Sequence, residues 1–276
     1  MSAGNTSPRN TTPDPSPDDT SIRNSAPDGA TSSVLVRGDP RGADDIVVFL
    51  PPAGSVTTPY LPVASCLPDS VAAVHCEMPG RGRLAHDTAP TAVAACVDRW
   101  DADLLALSLE GRLHFFGHSL GALFAHELVA RCEARASPRV ASLCVSAARQ
   151  PGSAPRMLIA NAFEALRGEQ GGAGRAEDKD AWLTDDLRMR RRHRVVPQPV
   201  RAPLALFCPS ADPFARPHEM EDWKNHTSGP CLETFTFRGG HDYYRSAPDE
   251  VAAAIGHIVE RTREPHHAQH HDDTGV

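Results

Sequence analysis

The stretch that most restricts the fold of this chain is Phe115-Phe116-Gly117-His118-Ser119-Leu120-Gly121-Ala122. Apolar residues precede it (Leu113, Phe115, Phe116), and a run with helical spacing follows (Ala122, Leu123, Phe124, Ala125, Leu128, Val129). The pattern predicts a strand, a sharp turn and a helix, with G-x-S-x-G at the turn. Such a turn strains the serine backbone, and the flanking glycines let strand and helix approach closely. The Ser119 hydroxyl then projects above the sheet. Leu120 N–H lies at the helix start, where it can stabilise an oxyanion.

The remainder of the chain repeats the alternation of strand and helix. Ile46-Val47-Val48-Phe49-Leu50 is a continuous apolar run, fit for a strand buried on both faces, and it ends in the turn Pro51-Pro52-Ala53-Gly54-Ser55. Strands are predicted at 34–36, 71–76, 113–116, 140–146, 204–208 and 231–237, and helices at 91–107, 120–134 and 251–261. Strands alternating with helices imply an α/β fold with a mainly parallel central sheet and right-handed crossovers. The rhythm breaks over 152–203, where Met157-Leu158-Ile159, Ala162, Phe163 and Leu166 have amphipathic spacing, as do Trp182, Leu183 and Leu187. A Gly/Glu/Asp-rich linker over 168–180 separates the two groups.

Residues 1–33 are rich in Ser, Thr, Asn, Asp and Pro, and such a segment buries too little to offset its ordering entropy, so disorder is expected. One domain over 34–262 follows, then a His-rich tail over 263–276 with His266, His267, His270 and His271. The tail histidines have no companion carboxylate or cysteine cluster in the folded region, so solvation rather than metal binding is expected, and no metal or cofactor is implied elsewhere. A net charge of −7 leaves no basic field for nucleic acid. No apolar run approaches membrane-spanning length, and no signal peptide is visible. The 7 scattered cysteines contain no C-x-x-C and sit mostly among apolar residues, which points to reduced thiols and a cytoplasmic setting.

A serine hydroxyl needs a positioned base. Among the 14 histidines, His241 is the best placed, after the strand at 231–237 and behind Gly239-Gly240, which permit a tight approach. His118, inside the turn motif, is expected to be directed away from the serine and to pack the turn. The base in turn needs a carboxylate to fix its tautomer. Asp212, in Pro209-Ser210-Ala211-Asp212-Pro213 just past a strand end, is the candidate; Asp242 is expected to point away. Asp178, Asp180, Asp185, Asp186 and Asp222 look like solvated or capping residues. The order Ser119, Asp212, His241 is that of α/β-hydrolases. A second oxyanion donor should come from the loop after the strand at 46–50, with Ala53 N–H the choice and Gly54 the alternative.

Phe49-Leu50-Pro51-Pro52-Ala53-Gly54, Met78-Pro79-Gly80-Arg81, Gly117-His118-Ser119-Leu120-Gly121-Ala122, Ser210-Ala211-Asp212-Pro213 and Gly239-Gly240-His241 together resemble the type II thioesterases. These are the stand-alone editing enzymes of polyketide and nonribosomal peptide synthesis. The resemblance covers roughly 45–150 and 203–262 and implies an α/β-hydrolase fold. It also implies hydrolysis of acyl groups from the phosphopantetheine arm of an acyl or peptidyl carrier protein. The chain departs from the family at Pro52, where a histidine is usual, at Ser55 in place of a glycine, and at Ser210 in place of an acidic residue. The resemblance implies that 152–203 is a helical lid whose apolar face covers an acyl chain, here short and charge-rich. An acyltransferase or cyclising enzyme with the same triad, and a general carboxylesterase, are the alternatives. The basic run Arg188-Met189-Arg190-Arg191-Arg192-His193-Arg194 is a local exception in an acidic chain and a candidate docking surface for a carrier protein.

Overall fold

Among the described residues seven strands form one sheet: β1 (Val34–Arg37), β2 (Asp45–Leu50), β3 (Val71–Cys76), β4 (Arg112–His118), β5 (Val140–Ser146), β6 (Leu204–Pro209) and β7 (Cys231–Phe237). Their order is β1-β3-β2-β4-β5-β6-β7 in the computed structural model, which describes residues 31–135, 139–153, 176–193 and 199–263. All neighbours are parallel except β1, which runs antiparallel to β3. The α-helices among the described residues are α1 (Leu61–Ser65), α2 (Val93–Ala106), α3 (Leu120–Ala134), α4 (Ala176–Arg192), α5 (Pro217–Met220), α6 (Tyr243–Ser246) and α7 (Pro248–Arg263).

The unbroken apolar runs are explained by what lies on each face. Along β2, Ile46, Val48 and Leu50 join a core that α2 and α3 cover, while Val47 and Phe49 join a second core beneath α1 and α7. The side chains of a strand alternate between faces, so a strand covered by helices on both sides must be apolar throughout. β6 repeats the pattern, with Leu204, Leu206 and Cys208 on one face and Ala205 and Phe207 on the other. On the first face Trp100 stands edge-on to Phe124 and donates its indole N–H to Glu77 O at 2.8 Å. Burying an aromatic of this size stabilises the fold by roughly 1.5–3 kcal/mol.

The start of the sheet is held by Asp45, which is fully buried. Its carboxylate meets His114 Nε2 at 3.0 Å, Arg112 at 2.6 Å and Arg263 of α7 at 2.6 Å, and His114 Nδ1 in turn pairs with Ser142 Oγ. Burial pushes the Asp45 carboxyl up, but the hydrogen bonds from His114, Arg112 and Arg263 outweigh it and hold it well below the usual carboxylate range. The terminal helix is thereby tied to the first residues of β2 and β4. Among the cysteines, Cys66 and Cys231 are exposed, while Cys76, Cys96, Cys132, Cys144 and Cys208 are buried and unbridged. Burial raises those five thiols, Cys132 to about 11 and Cys96, Cys144 and Cys208 to about 12.

The last residues of the stretch 1–33 lie within the described part. Ser33 is fully buried and donates its N–H and hydroxyl to Asp103 of α2. Residues 1–30, the amphipathic group from Met157 to Leu166 and the His-rich tail beyond 263 lie outside the described residues. α4 supplies the described part of the expected lid, and it starts at Ala176, inside the stretch expected to be linker. Among the described residues no helix is long and apolar enough to cross a membrane, and no group of His, Cys, Asp and Glu is arranged to hold a metal ion.

Candidate active site

Parallel strands deliver their carboxyl ends to one edge, and there the loops after β2, β4, β6 and β7 meet. Ser119 caps α3 with φ 56° and ψ −116°, a conformation that non-glycine residues rarely hold. The glycines of the motif have separate tasks. A Cβ on Gly117 would lie 2.2 Å from Gly121 O, and one on Gly121 would lie 2.4 Å from Leu50 O. The first glycine lets strand and helix close on each other, and the second lets the helix sit on the end of β2. Ser119 N–H donates to Ser146 O at 2.9 Å, which fixes the turn against β5. Leu120 is the first residue of α3, so its N–H points out of the amino terminus of a helix whose dipole favours negative charge there.

Asp212 is buried beyond the end of β6. One carboxylate oxygen accepts from Phe214 N–H at 2.7 Å and the other lies 2.8 Å from His241 Nδ1. The two roles open to this aspartate, turn former and histidine partner, are filled by one side chain: the turn holds one oxygen and thereby aims the other. Phe214, placed by that turn, stands edge-on to the His241 ring with centroids 5.1 Å apart. With Nδ1 bound to the carboxylate, Nε2 is the nitrogen left for proton transfer. The loop carrying His241 is anchored by Ala211 N–H donating to Gly239 O, and Gly239 takes φ 115°.

The competing residues lie elsewhere. His118 is fully buried, with Nδ1 2.9 Å from Ser146 Oγ, which in turn meets Tyr243 OH at 2.8 Å. Burial, followed by the nearby His241 and Arg245, pushes His118 well below the usual histidine range. Asp242 faces His118 Nε2 at 3.9 Å rather than His241. Asp222 is exposed and accepts from Gln150 Nε2 at 3.2 Å.

The loop after β2 holds Ala53, half-buried, and Gly54, with φ 76°. Gly54 N–H is taken: it donates to Asp186 Oδ2 at 2.8 Å. Asp186 itself corrects the expectation of a solvated or capping residue. It is fully buried on α4 and forms a two-pronged pair with Arg81, at 2.8 and 2.6 Å. A charge-rich helix concealed the contact, because the partner lies 105 residues earlier in the chain. The Met-Pro-Gly-Arg motif around Arg81 was the signal available in the sequence.

The family model described as "Thioesterase domain" matches residues 45–259. Thioesterase PikA5 of Streptomyces venezuelae is 32% identical over 239 residues, spanning 79% of this chain and 82% of that protein. Among solved structures, the RedJ thioesterase from the prodiginine biosynthetic pathway in Streptomyces coelicolor is 28% identical, covers 80% of this chain and 93% of its own, and has a TM-score of 0.69. BorB, the type II thioesterase from the borrelidin biosynthetic cluster, is 25% identical, covers 81% and 97%, and has a TM-score of 0.67. The sheet order, the strained serine at the β4–α3 turn and these matches agree: the chain has the α/β-hydrolase fold and belongs to the thioesterase domain family, hydrolases that act on thioesters.

Proposed function

We propose that this protein removes acyl groups from the phosphopantetheine arm of acyl or peptidyl carrier proteins in polyketide or nonribosomal peptide synthesis, with Ser119 as nucleophile, His241 as base and Asp212 as the residue that orients it. The observation that carries the reading is the Asp212–His241 pair at 2.8 Å, with the carboxylate fixed by Phe214 N–H, on the same sheet edge as the strained Ser119. The relatives from antibiotic clusters support the substrate class.

In this reading Ser119 Oγ attacks the thioester carbonyl while His241 Nε2 takes its proton. Leu120 and Ala53 N–H groups hold the oxyanion of the tetrahedral intermediate. The C–S bond breaks, His241 returns the proton to the departing thiolate, and the acyl group stays on Ser119. Water then attacks the ester, losing its proton to His241. The C–O bond breaks, His241 returns that proton to Ser119 Oγ, and the acid leaves the regenerated serine.

The test is mass spectrometry of carrier proteins loaded with different acyl groups, incubated with the wild-type enzyme and with Ser119→Ala. Loss of the acyl mass with appearance of the free acid is expected from the wild type, and a fall in turnover on the order of 10⁴ or more from the variant. Transfer to another acceptor or a cyclic product would replace hydrolysis by acyl transfer. Preference for simple oxygen esters over carrier thioesters would make the protein a carboxylesterase.

A further inference from the structure

Three segments distant in sequence are locked together behind the oxyanion loop. Asp186 of α4 accepts from Gly54 N–H, 132 residues away, and from both terminal nitrogens of Arg81. Arg81 also donates to Ser55 O at 3.3 Å and lies over the Trp182 ring at 5.6 Å. Leu183 packs on Gly54 so closely that a Cβ there would lie 3.3 Å from Leu183 Cβ. The next turn is equally tight: a Cβ on Gly82 would lie 2.6 Å from Val56 O. The loop after β2, the loop after β3 and helix α4 therefore share one buried polar contact, with Asp186 at its centre.

A buried carboxylate and guanidinium are costly to remove from water, and apolar side chains of the same volume would fill the space at no loss of stability. The ion pair has one feature that apolar packing would lack: an acceptor for Gly54 N–H. The peptide joining Ala53 to Gly54 is planar, so fixing the direction of Gly54 N–H restrains that plane. Only the φ and ψ of Ala53 then separate it from the Ala53 N–H, so the loop has two fewer ways to turn that donor aside once the Gly54 plane is held. We propose that Asp186, held by Arg81, is a positioning residue for the oxyanion hole, so that docking of α4 completes the hydrolytic site. The proposal rests on the assignment of Ser119 as nucleophile and Ala53 as oxyanion donor. In the docked state the Ala53 amide is aimed before substrate arrives; with α4 displaced, Gly54 loses its acceptor and the loop loses its direction. The effect falls on the stabilisation of the tetrahedral oxyanion and not on acyl-chain binding.

The test compares Arg81→Met/Asp186→Asn with Arg81→Met/Asp186→Leu. Both lack a buried charge, and the first alone keeps a carbonyl for Gly54. On a small acyl thioester, kcat of the Leu variant is expected to be about 10-fold or more below that of the Asn variant, the scale of one hydrogen bond that matters in the transition state. KM is expected to agree within about twofold, since ground-state binding is untouched. Affinity for an alkyl boronic acid, whose tetrahedral adduct on a serine carries the oxyanion, should fall in step with kcat. Equal kcat and equal boronate affinity in the two variants would overturn the proposal, and so would a change confined to KM. If a double variant does not fold, Asp186→Asn and Asp186→Leu alone give the same comparison, because Arg81 is then unpaired in both. Ser119→Ala measured alongside separates the two ideas. An active Ser119→Ala overturns the assignment of the nucleophile, whereas an inactive one with equal double variants removes only the role of Asp186.

Discussion

The imidazole of His118 packs against that of His241, with ring centroids 4.7 Å apart and planes inclined by 53°. In the proposed mechanism His241 gains a proton during turnover, and its wall is a second histidine. Two adjacent imidazoliums would repel, and the arrangement works because burial and the His241 and Arg245 charges keep His118 neutral. His118 Nδ1 is committed to Ser146, so its ring is fixed by the chain running to Tyr243.

These two histidines should respond differently to substitution. His241→Ala is expected to lower kcat by on the order of 10⁴, as removal of a triad base does. His118→Asn should cost no more than about 10²-fold, the scale of a misplaced neighbour rather than a lost base. Steady-state kinetics on an acyl thioester checks both, and equal losses would mean that the base is misassigned.

Asp212 is expected to be the only one of three aspartates whose charge turnover requires. Asp212→Asn keeps an acceptor for Phe214 N–H but no longer holds the protonated His241, and kcat should fall on the order of 10³- to 10⁴-fold. Asp242→Asn and Asp222→Asn should stay within about tenfold of wild type, since neither touches His241. Retained activity in Asp212→Asn would move the acid elsewhere.

Acid should destabilise the fold through its buried histidines. His75 is buried against Phe49 and paired with Thr58, and burial, with a smaller effect of Arg37, lowers it from 6.5 to about 4. Between those values the unfolded chain binds the proton and the folded one does not. Stability is therefore full above pH 6.5 and falls as the pH drops toward 4, by about 3 kcal/mol for this one group. His114, His118 and His126 are shifted downward as well and add in the same direction. Urea unfolding at pH 7, 6 and 5 should show the decline, and His75→Phe should flatten it by up to one proton. Parallel pH profiles for the two proteins would rule His75 out as a contributor.

The basic end of α4 divides into two parts. Arg191 and Arg192 are exposed, whereas Arg190 is half-buried, its charged form disfavoured by burial and by Arg149. Carrier docking is therefore tested by Arg191→Ala/Arg192→Ala, which leaves the packed arginine in place. KM for an acyl-carrier protein should rise by roughly 3- to 10-fold and its salt dependence weaken, as for rim charges at an interface. A small acyl thioester should be hydrolysed as before. Equal losses on both substrates would mean that the pair supports the helix and not a partner.

How much of this could be seen in the residues themselves depended on distance along the chain. The elbow, His241 and Asp212 stand where strand endings and turn residues mark them locally, so their loops could be placed one element at a time. β3, α3, β5 and β7 carry uninterrupted apolar or periodic runs, and their observed limits match those expected from the sequence. α1, α5 and α6 were not expected. Each is only 4 or 5 residues long, too short for a helical period to develop. Asp186 escaped for a different reason. A carboxylate amid Asp and Arg on a charged helix is ordinarily solvated, and only tertiary docking against Arg81 and Gly54 removes this one from water.

The five sealed thiols leave this protein with two chemical handles. A maleimide or iodoacetamide offered to the folded chain meets Cys66, just after α1, and Cys231, at the first residue of β7, while the other cysteines stay both covered and protonated. A fluorophore can therefore be installed without first deleting native cysteines. In air, Cys66 and Cys231 are also the places where separate copies would become covalently joined, so their replacement by serine is the simple route to a preparation that stays unlinked without reductant.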